Sequence, residues 1–508
     1  MPRKTTPSYV LTLKLDTNDR DNSILKKRFE ICRKLYNSIL GTGLKRFKTL
    51  SELKVYRNLR KELAEINKFY YKDENSKKSK LKEKLRKEKY KELTNLLGKC
   101  GIDEYSLINE MTPMYKSFNK NIDNKTAQAL SSRAWKALEK LIFNNAEKVC
   151  FKRYDELNSI EGKWNASGIT YRDGFVKWNG LKISVIIKNN DIYAQRAIQD
   201  RIKYCRIVRK MICGEYKYYV QLVMEGLPHI KVNKETGEIK RSIGLGNVGI
   251  DIGTRTVAIS SKYSVDLLEL CPEVDNLQNI KTKLSRKLDR QRRSNTPNNY
   301  NENGTIKRGI KLIWAKSKKY IKTQNELADI QRKQASIRKQ SHEKLANYIL
   351  SLGNRILVET MQFAGLQKRS KKTTVNKDGK FNKKKRFGKS IANKSPAMLI
   401  EIIDRKLKYD GLEIFKINTQ KVKASQYNHF NGECDKKELK DRWNKDIEIQ
   451  RDCYSAFLIM NVDDDLETIN RELCIKTYDN FKEYHDKEIS RLKEMKLKGY
   501  KLISSMGI

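Results

Sequence analysis

The chain has 508 residues, 38% of them hydrophobic, and carries 108 Lys and Arg against 61 Asp and Glu, a formal charge of +47. That length allows about three domains with real cores, and self-repulsion of this size calls for a polyanion, of which nucleic acid fits best because the basic residues run from end to end. No apolar run approaches a membrane-spanning helix and no signal peptide is expected; nine single cysteines without a CxxC pair, and four scattered histidines, argue against a disulfide framework, a complete zinc site and histidine-based acid–base chemistry.

In chain order, residues 8 to 15 alternate, with Tyr9, Leu11, Leu13 and Leu15 on one parity, and read as a half-buried strand. A helix is expected from about Ser23, its stripe running through Leu25, Phe29, Cys32, Leu35, Tyr36 and Ile39, with Gly41 as its stop. Residues 45 to 100 are strongly charged and helical in character, and 123 to 148 hold a second amphipathic helix through Ala127, Leu130, Ala134, Leu138 and Leu141. From Cys150 the pattern changes to short strands at 168–171, 175–178 and 181–187, then a hairpin of 207–211 and 216–224 about Cys213-Gly214. The first strand has no local partner, so it is expected to join this module. The helical lobe then becomes an insertion between strands of one barrel-like domain.

A glycine-rich linker, Gly244 to Asn247, precedes VGIDIGTRTVAIS, Val248 to Ser260, a strand–turn–strand signal with one acid, Asp251, inside its first strand. A carboxylate there is costly to bury unless something cationic meets it. Two long helices follow. In the first, Val274, Leu277, Ile280, Leu284 and Leu288 recur three and four apart, while Lys283, Arg286, Lys287, Arg290 and Arg293 crowd the other faces; the second runs from about Ser317 to Leu352. Their density of base marks a nucleic-acid-facing surface. Arg355 to Glu359 reads as a short buried strand ending in a carboxylate, and 367 to 390, with Lys383, Lys384, Lys385 and Arg386, as a flexible basic loop. Ser395 caps a helix with Pro396 at its first position, residues 412 to 417 form a strand, and Ile447 to Met460 is a helix carrying Asp452 beside Ile449, Cys453, Ala456 and Phe457.

Each acid alone has a plainer reading: a strand turn for Asp251, a strand-end cap for Glu359, a surface charge for Asp452. Meeting in one pocket, they would repel and resist ionising. A pair of hard divalent cations, Mg²⁺ or Mn²⁺, removes that problem, because oxygen ligands without His or Cys favour those ions. Two such ions activate a water and stabilise the leaving oxygen of a phosphodiester.

GIDIGTR, ILVET and QRDCYSAFLI, in this order, resemble the three RuvC motifs of TnpB, the transposon-encoded nuclease, and of the compact type V CRISPR effectors similar to it, with Asp251, Glu359 and Asp452 at the acid positions. Thr360 stands where the family usually has Asp, and Tyr454 where it has Asn. The resemblance runs from about residue 245 to 460, including ANKSPAMLIEIIDRKLKYDG, and extends over the first strand, the first helix and the hairpin at 207–224; it does not reach 45–145 residue by residue. With the pattern above it implies a multidomain α+β chain: a β-barrel-like wedge module (1–20 and 150–243), an inserted helical recognition lobe (21–149) and an RNase H-like (RuvC) α/β nuclease domain (244–424 and 447–508). Residues 425–446 resemble the family's zinc ribbon without its ligands: Asn428 and Asn431 fall where the first cysteine pair would stand, no CxxC follows Trp443, and no zinc is expected. Arg442 matches the family's arginine, placed to meet the scissile phosphate or to make a salt bridge.

The activity implied by the resemblance is that of an RNA-guided DNA endonuclease in the prokaryotic cytoplasm, acting at the nucleoid. Guide RNA would read the target, protein contacts would read a short flanking motif in double-stranded DNA, and two Mg²⁺ ions on the three acids would serve one cutting site. The basic residues would follow phosphate backbones; no membrane partner is expected. Two other readings stand beside it: an RNA-guided repressor with an idle nuclease, for which Thr360 and Tyr454 leave room, and an unguided RuvC-like resolvase or transposase-associated nuclease.

Overall fold

In the computed structural model, the alternation at the start of the chain forms β1 (Ser8–Leu15), with Tyr9, Leu11, Leu13 and Leu15 buried and the residues between them exposed. The structure describes all residues except 1–5, 71–76, 144–145, 234, 369–372, 377–378, 380–386, 436–437, 439–440 and 445. Two compact units divide the chain, residues 1–229 and 230–508.

In the first unit, β1 is followed by α1 (Asp19–Glu52), α2 (Lys54–Tyr70), α3 (Lys77–Lys99), α4 (Glu104–Lys116) and α5 (Asn124–Ile142). The chain then returns to strands: β2 (Ser159–Glu161), β3 (Thr170–Arg172), β4 (Phe175–Trp178) and β5 (Leu181–Ile186), then α6 (Ile192–Ala197), β6 (Ile202–Ile212) and β7 (Glu215–Glu225). These seven strands form one sheet in the order β2-β6-β7-β1-β5-β4-β3. The orphan first strand pairs antiparallel with β7, Leu11 opposite Leu222, and with β5, Lys14 opposite Ile186. The ladder runs from β2 to β3 and curls until β3 approaches β6, the neighbour of β2.

The first helix departs from expectation at both ends. It opens at Asn18, whose side chain accepts from the Asp21 N–H while the Asp21 carboxylate accepts from the Asn18 N–H, a capping box ahead of Ser23. It then passes through Gly41 to Glu52. Tertiary packing overrides the glycine's low helix propensity: at Gly43 a β-carbon would overlap the Leu138 side chain of α5, so the bare backbone lets the two helices close on each other. Leu25, Phe29 and Ile39 of α1, Leu138 of α5 and Leu222 of β7 share one core.

The second unit opens with β8 (Asn247–Ile252), β9 (Thr256–Ser261) and β10 (Val265–Glu269), followed by the long basic helices α7 (Val274–Asn295) and α8 (Lys318–Leu352). Next come β11 (Arg355–Glu359), α9 (Phe363–Gln367), α10 (Gly388–Lys394), α11 (Pro396–Lys408), β12 (Phe415–Ile417) and α12 (Thr419–Val422). The chain closes with β13 (Trp443–Asn444), β14 (Ile449–Gln450), α13 (Arg451–Met460) and α14 (Arg471–Leu497). The five-stranded sheet has the order β10-β9-β8-β11-β12, with β11 parallel to both β8 and β12.

Both faces of this sheet are covered. Val248, Ile250 and Ile252 pack with Ile349 and Leu350 of α8 and Leu399 and Ile403 of α11. Ala258, Leu357 and Ile417 pack with Cys453, Ala456 and Phe457 of α13 on the other face. Two-sided burial explains the unbroken apolar run Ile356-Leu357-Val358.

Three boundaries differ from the sequence reading. The last predicted helix begins at Arg451, not Ile447, because Ile449 and Gln450 pair with Trp443 and Asn444. The strand expected at 412–417 is confined to Phe415–Ile417. Ser395 makes no side-chain cap; it takes a left-handed conformation (φ +46°) as the joint between α10 and α11, with Pro396 in the first turn as expected. Among the described residues no helix is long and apolar enough to cross a membrane.

Candidate active site

The β8 face that holds Gly249 also holds Asp251, two residues on. In the β8–β11 register Leu357 stands opposite Gly249 and Val358 opposite Ile250, so one further step sets Glu359 alongside Asp251. Glu359 shares the parity of Leu357, which packs with α13. A β-carbon on Gly249 would overlap the Ala456 carbonyl and the Met460 nitrogen, so the bare glycine lets α13 lie directly on the strand. One helical turn before Ala456 is Asp452, held in the first turn of α13, where the Gln450 side chain accepts from the Cys453 N–H at 2.8 Å.

The three acids share one electrostatic field. Burial pushes the Asp251 carboxyl well above the usual carboxylate range; the charges of Asp452 and Glu359 push it further, and Arg451 and Arg442 pull against them. Burial likewise raises Glu359. It raises Asp452 too, against Arg442, Arg451 and a hydrogen bond with Gln450. Arg442 Nη1 lies 3.7 Å from Asp452 Oδ2. The structure therefore gathers Asp251, Glu359, Asp452 and Arg442. It adds Arg451, which sequence reasoning passed over although it directly precedes Asp452; its guanidinium donates to the carbonyls of Glu438 and Asp441.

Among the described residues no three His, Cys, Asp or Glu stand close enough to form a ready metal cage. The charge and donor chemistry nonetheless fit a hard divalent cation: three carboxylates that resist ionising together, with no sulfur or imidazole among them.

The two departures from the family motifs make their bonds elsewhere. The Thr360 hydroxyl bonds Thr419 Oγ1 at 3.1 Å and the Ile417 carbonyl at 3.3 Å. The Tyr454 hydroxyl accepts the His429 backbone N–H at 3.2 Å and meets His429 Nδ1 at 2.7 Å. His429 is fully buried among rings, with Phe430 at 4.1 Å and Tyr478 at 5.1 Å, and burial followed by the Arg471 charge lowers its pKa to about 4. Asn428 and Asn431 use their side chains to accept the Phe430 and Glu433 N–H groups, each at 3.0 Å, and Cys434 is exposed.

Lys283, Arg286, Lys287, Arg290 and Arg293 are all exposed on α7. Arg293 is partly neutralised by Asp289 at 2.9 Å. Arg286 and Arg290 join Lys389 of α10 around a groove of about 460 Å³. Lys383, Lys384, Lys385 and Arg386 lie outside the described residues. The structure also reveals a cation that periodicity did not mark. Lys394 is buried, with Nζ 2.8 Å from Glu269, 3.0 Å from Asp275 and 3.2 Å from the Cys271 carbonyl, while its own carbonyl meets the buried His342 ring at 2.7 Å.

No family model and no curated protein matches the chain. Among solved structures, a Cas12f1–sgRNA–target DNA complex aligns over 89% of this chain and 98% of that chain, at 12% identity and a TM-score of 0.42. A CRISPR-Cas12f ternary complex aligns over 89% and 83%, at 12% identity and a TM-score of 0.25. Both overlaps are loose.

Proposed function

We propose that this chain is an RNA-guided DNA endonuclease, taking a guide RNA and double-stranded DNA as partners and cutting with a single metal-dependent site of RuvC type. The observation that carries this reading is the meeting of Asp251, Glu359 and Asp452 beneath α13, in a field where each carboxyl is driven towards neutrality. Two Mg²⁺ ions, with Mn²⁺ as a substitute, would supply the missing positive charge, activate a water and stabilise the leaving oxygen.

The chain's own residues supply the rest. Asp251, Glu359 and Asp452 would hold the ions, closing up around them. Arg442, beside Asp452, offers a guanidinium to the scissile phosphate. The close seat of α13 on β8 holds Asp452 near the strand that carries Asp251, and the exposed cations of α7 follow phosphate backbones. The guide RNA follows from the motif resemblance and from a basic surface far larger than one active site requires. Thr360 and Tyr454 bond to Thr419 and His429 rather than to the acids, which favours a cutting site over an idle one.

The test is cleavage of a matched plasmid by the protein purified with its native RNA, beside Asp251→Ala and Glu359→Ala. Expected is Mg²⁺-dependent cutting only with the matched guide, lost in both variants while target binding persists. Guided binding without cutting in the unaltered protein would establish the repressor instead, and cutting that ignores the RNA would overturn the guided reading.

A further inference from the structure

The parallel strands β8, β11 and β12 end side by side, and beyond them lies a crevice of about 750 Å³ with Ile252, Glu359 and Ile417's neighbour Asn418 in its walls. Crevices at the carboxyl ends of such strands are the usual ligand sites of α/β sheets. This one is within the usual size of a small-molecule site. Thr360 and Thr419, both in its wall, share a hydrogen bond that ties the end of β11 to the first residue of α12.

Its lining is mixed in a telling way. Met361 and Phe363 contribute half-buried apolar surface. Gln362, Glu401, Lys416 and Gln420 contribute polar ends that make no side-chain hydrogen bond or ion pair among the described residues. Asn418, by contrast, is committed, donating to Glu467 at 3.1 Å. An aromatic face, two amides that both give and take hydrogen bonds, one carboxylate and one lysine match a nucleobase with its phosphate.

We infer that this crevice takes one nucleotide of the strand being cut, next to the scissile phosphate. The base stacks on Phe363, the amides of Gln362 and Gln420 meet its edge, and Lys416 meets its phosphate. Glu401 accepts from an exocyclic amino group, which cytosine, adenine and guanine carry and thymine lacks. The site thus gives the nuclease a base preference beside the cut, independent of guide pairing. The inference rests on the nuclease reading of Glu359.

Two measurements test it on the full-length protein. In the first, non-cutting Asp251→Ala protein is titrated with single-stranded oligonucleotides carrying 2-aminopurine at successive positions. A fluorescence change confined to one position, and lost in Phe363→Ala, is expected; no positional change, or one that Phe363→Ala leaves intact, would overturn the crevice. In the second, cut ends are sequenced from targets randomised around the cleavage position. Roughly tenfold under-representation of thymine at one position is expected, relieved in Glu401→Ala and Gln420→Ala, whose exposed side chains leave the fold intact. A flat base distribution overturns the preference. Failure of the unaltered protein to cut would sink the nuclease reading, and the fluorescence titration would still judge nucleotide binding.

Discussion

Gly249 of β8 and Ala456 of α13 meet backbone to backbone, so closely that a β-carbon at 249 would overlap the Ala456 carbonyl oxygen. The contact lies two residues from Asp251 on the strand and one turn from Asp452 on the helix, so it sets the spacing of the acids. Gly249→Ala is expected to lift α13, destabilise the protein by about 2 kcal/mol and reduce cleavage far more than guided binding. Urea denaturation beside a cleavage assay checks both; wild-type cutting in the variant would deny the contact its role.

Asp251 works against folding in the absence of metal. Its folded pKa lies above the unfolded value, so its contribution is fully favourable only below the usual carboxylate range and is lost as pH rises through the raised value. Asp251→Asn is therefore expected to stabilise the metal-free protein at neutral pH by on the order of 1–2 kcal/mol, and to flatten the fall in melting temperature with rising pH. Added Mg²⁺ should raise the melting temperature of the unaltered protein and not of the variant.

Arg442 is half-buried at 3.7 Å from Asp452. If it meets the phosphate, Arg442→Ala should lower the single-turnover cleavage rate roughly a hundredfold with target affinity little changed. A variant that melts early yet cuts at the normal rate would make the arginine purely structural.

His429 has the opposite sign. Its folded pKa, about 4, lies below the unfolded value near 6.5. The stability it contributes is present above the unfolded value and is lost as pH falls through the folded one. His429→Phe, which keeps the ring against Phe430 and Tyr478, should weaken the pH dependence of stability between those limits, read from chemical denaturation at several pH values.

Lys394 holds Glu269 and Asp275 from a buried position. Lys394→Met should cost about 3 kcal/mol, because it removes the buried cation of the cluster and leaves Glu269 and Asp275 only Arg255, at 3.6 and 3.9 Å. Equal urea midpoints for the two proteins would remove Lys394 from the account of how α10 is anchored.

Much of this was legible from periodicity. Alternation found β1, and three-and-four spacing placed α7 and α8 within a residue or two. Asp251 stood out because a carboxylate amid Val and Ile in a strand demands a partner, whereas Asp452, on a helix, was marked by its place in the motif order and by the family resemblance. What stayed hidden has local causes. Pro113 lies inside α4 and blurs its helical signal. Ile449 and Gln450 look helical beside α13 but are claimed by a two-residue ladder that only tertiary pairing reveals. Arg451 lacks a pattern because its partners are main-chain carbonyls, and Lys394 resembles any other lysine until the fold closes over it.

The sheet of the first unit also sets a timetable. Thr6 Oγ1 donates to Glu225 at 2.6 Å across 219 positions of chain, next to the β1–β7 ladder. During synthesis β1 leaves the ribosome first and waits for β7, at roughly 5–20 residues per second, for tens of seconds. Only its last two residues find an earlier strand, β5; until β7 is made, the longer edge of β1 stays open beside its alternating apolar side chains. The helices made in the interval supply its interim cover, so slowing translation between residues 60 and 200 would lengthen the period in which a newborn chain is most prone to aggregate.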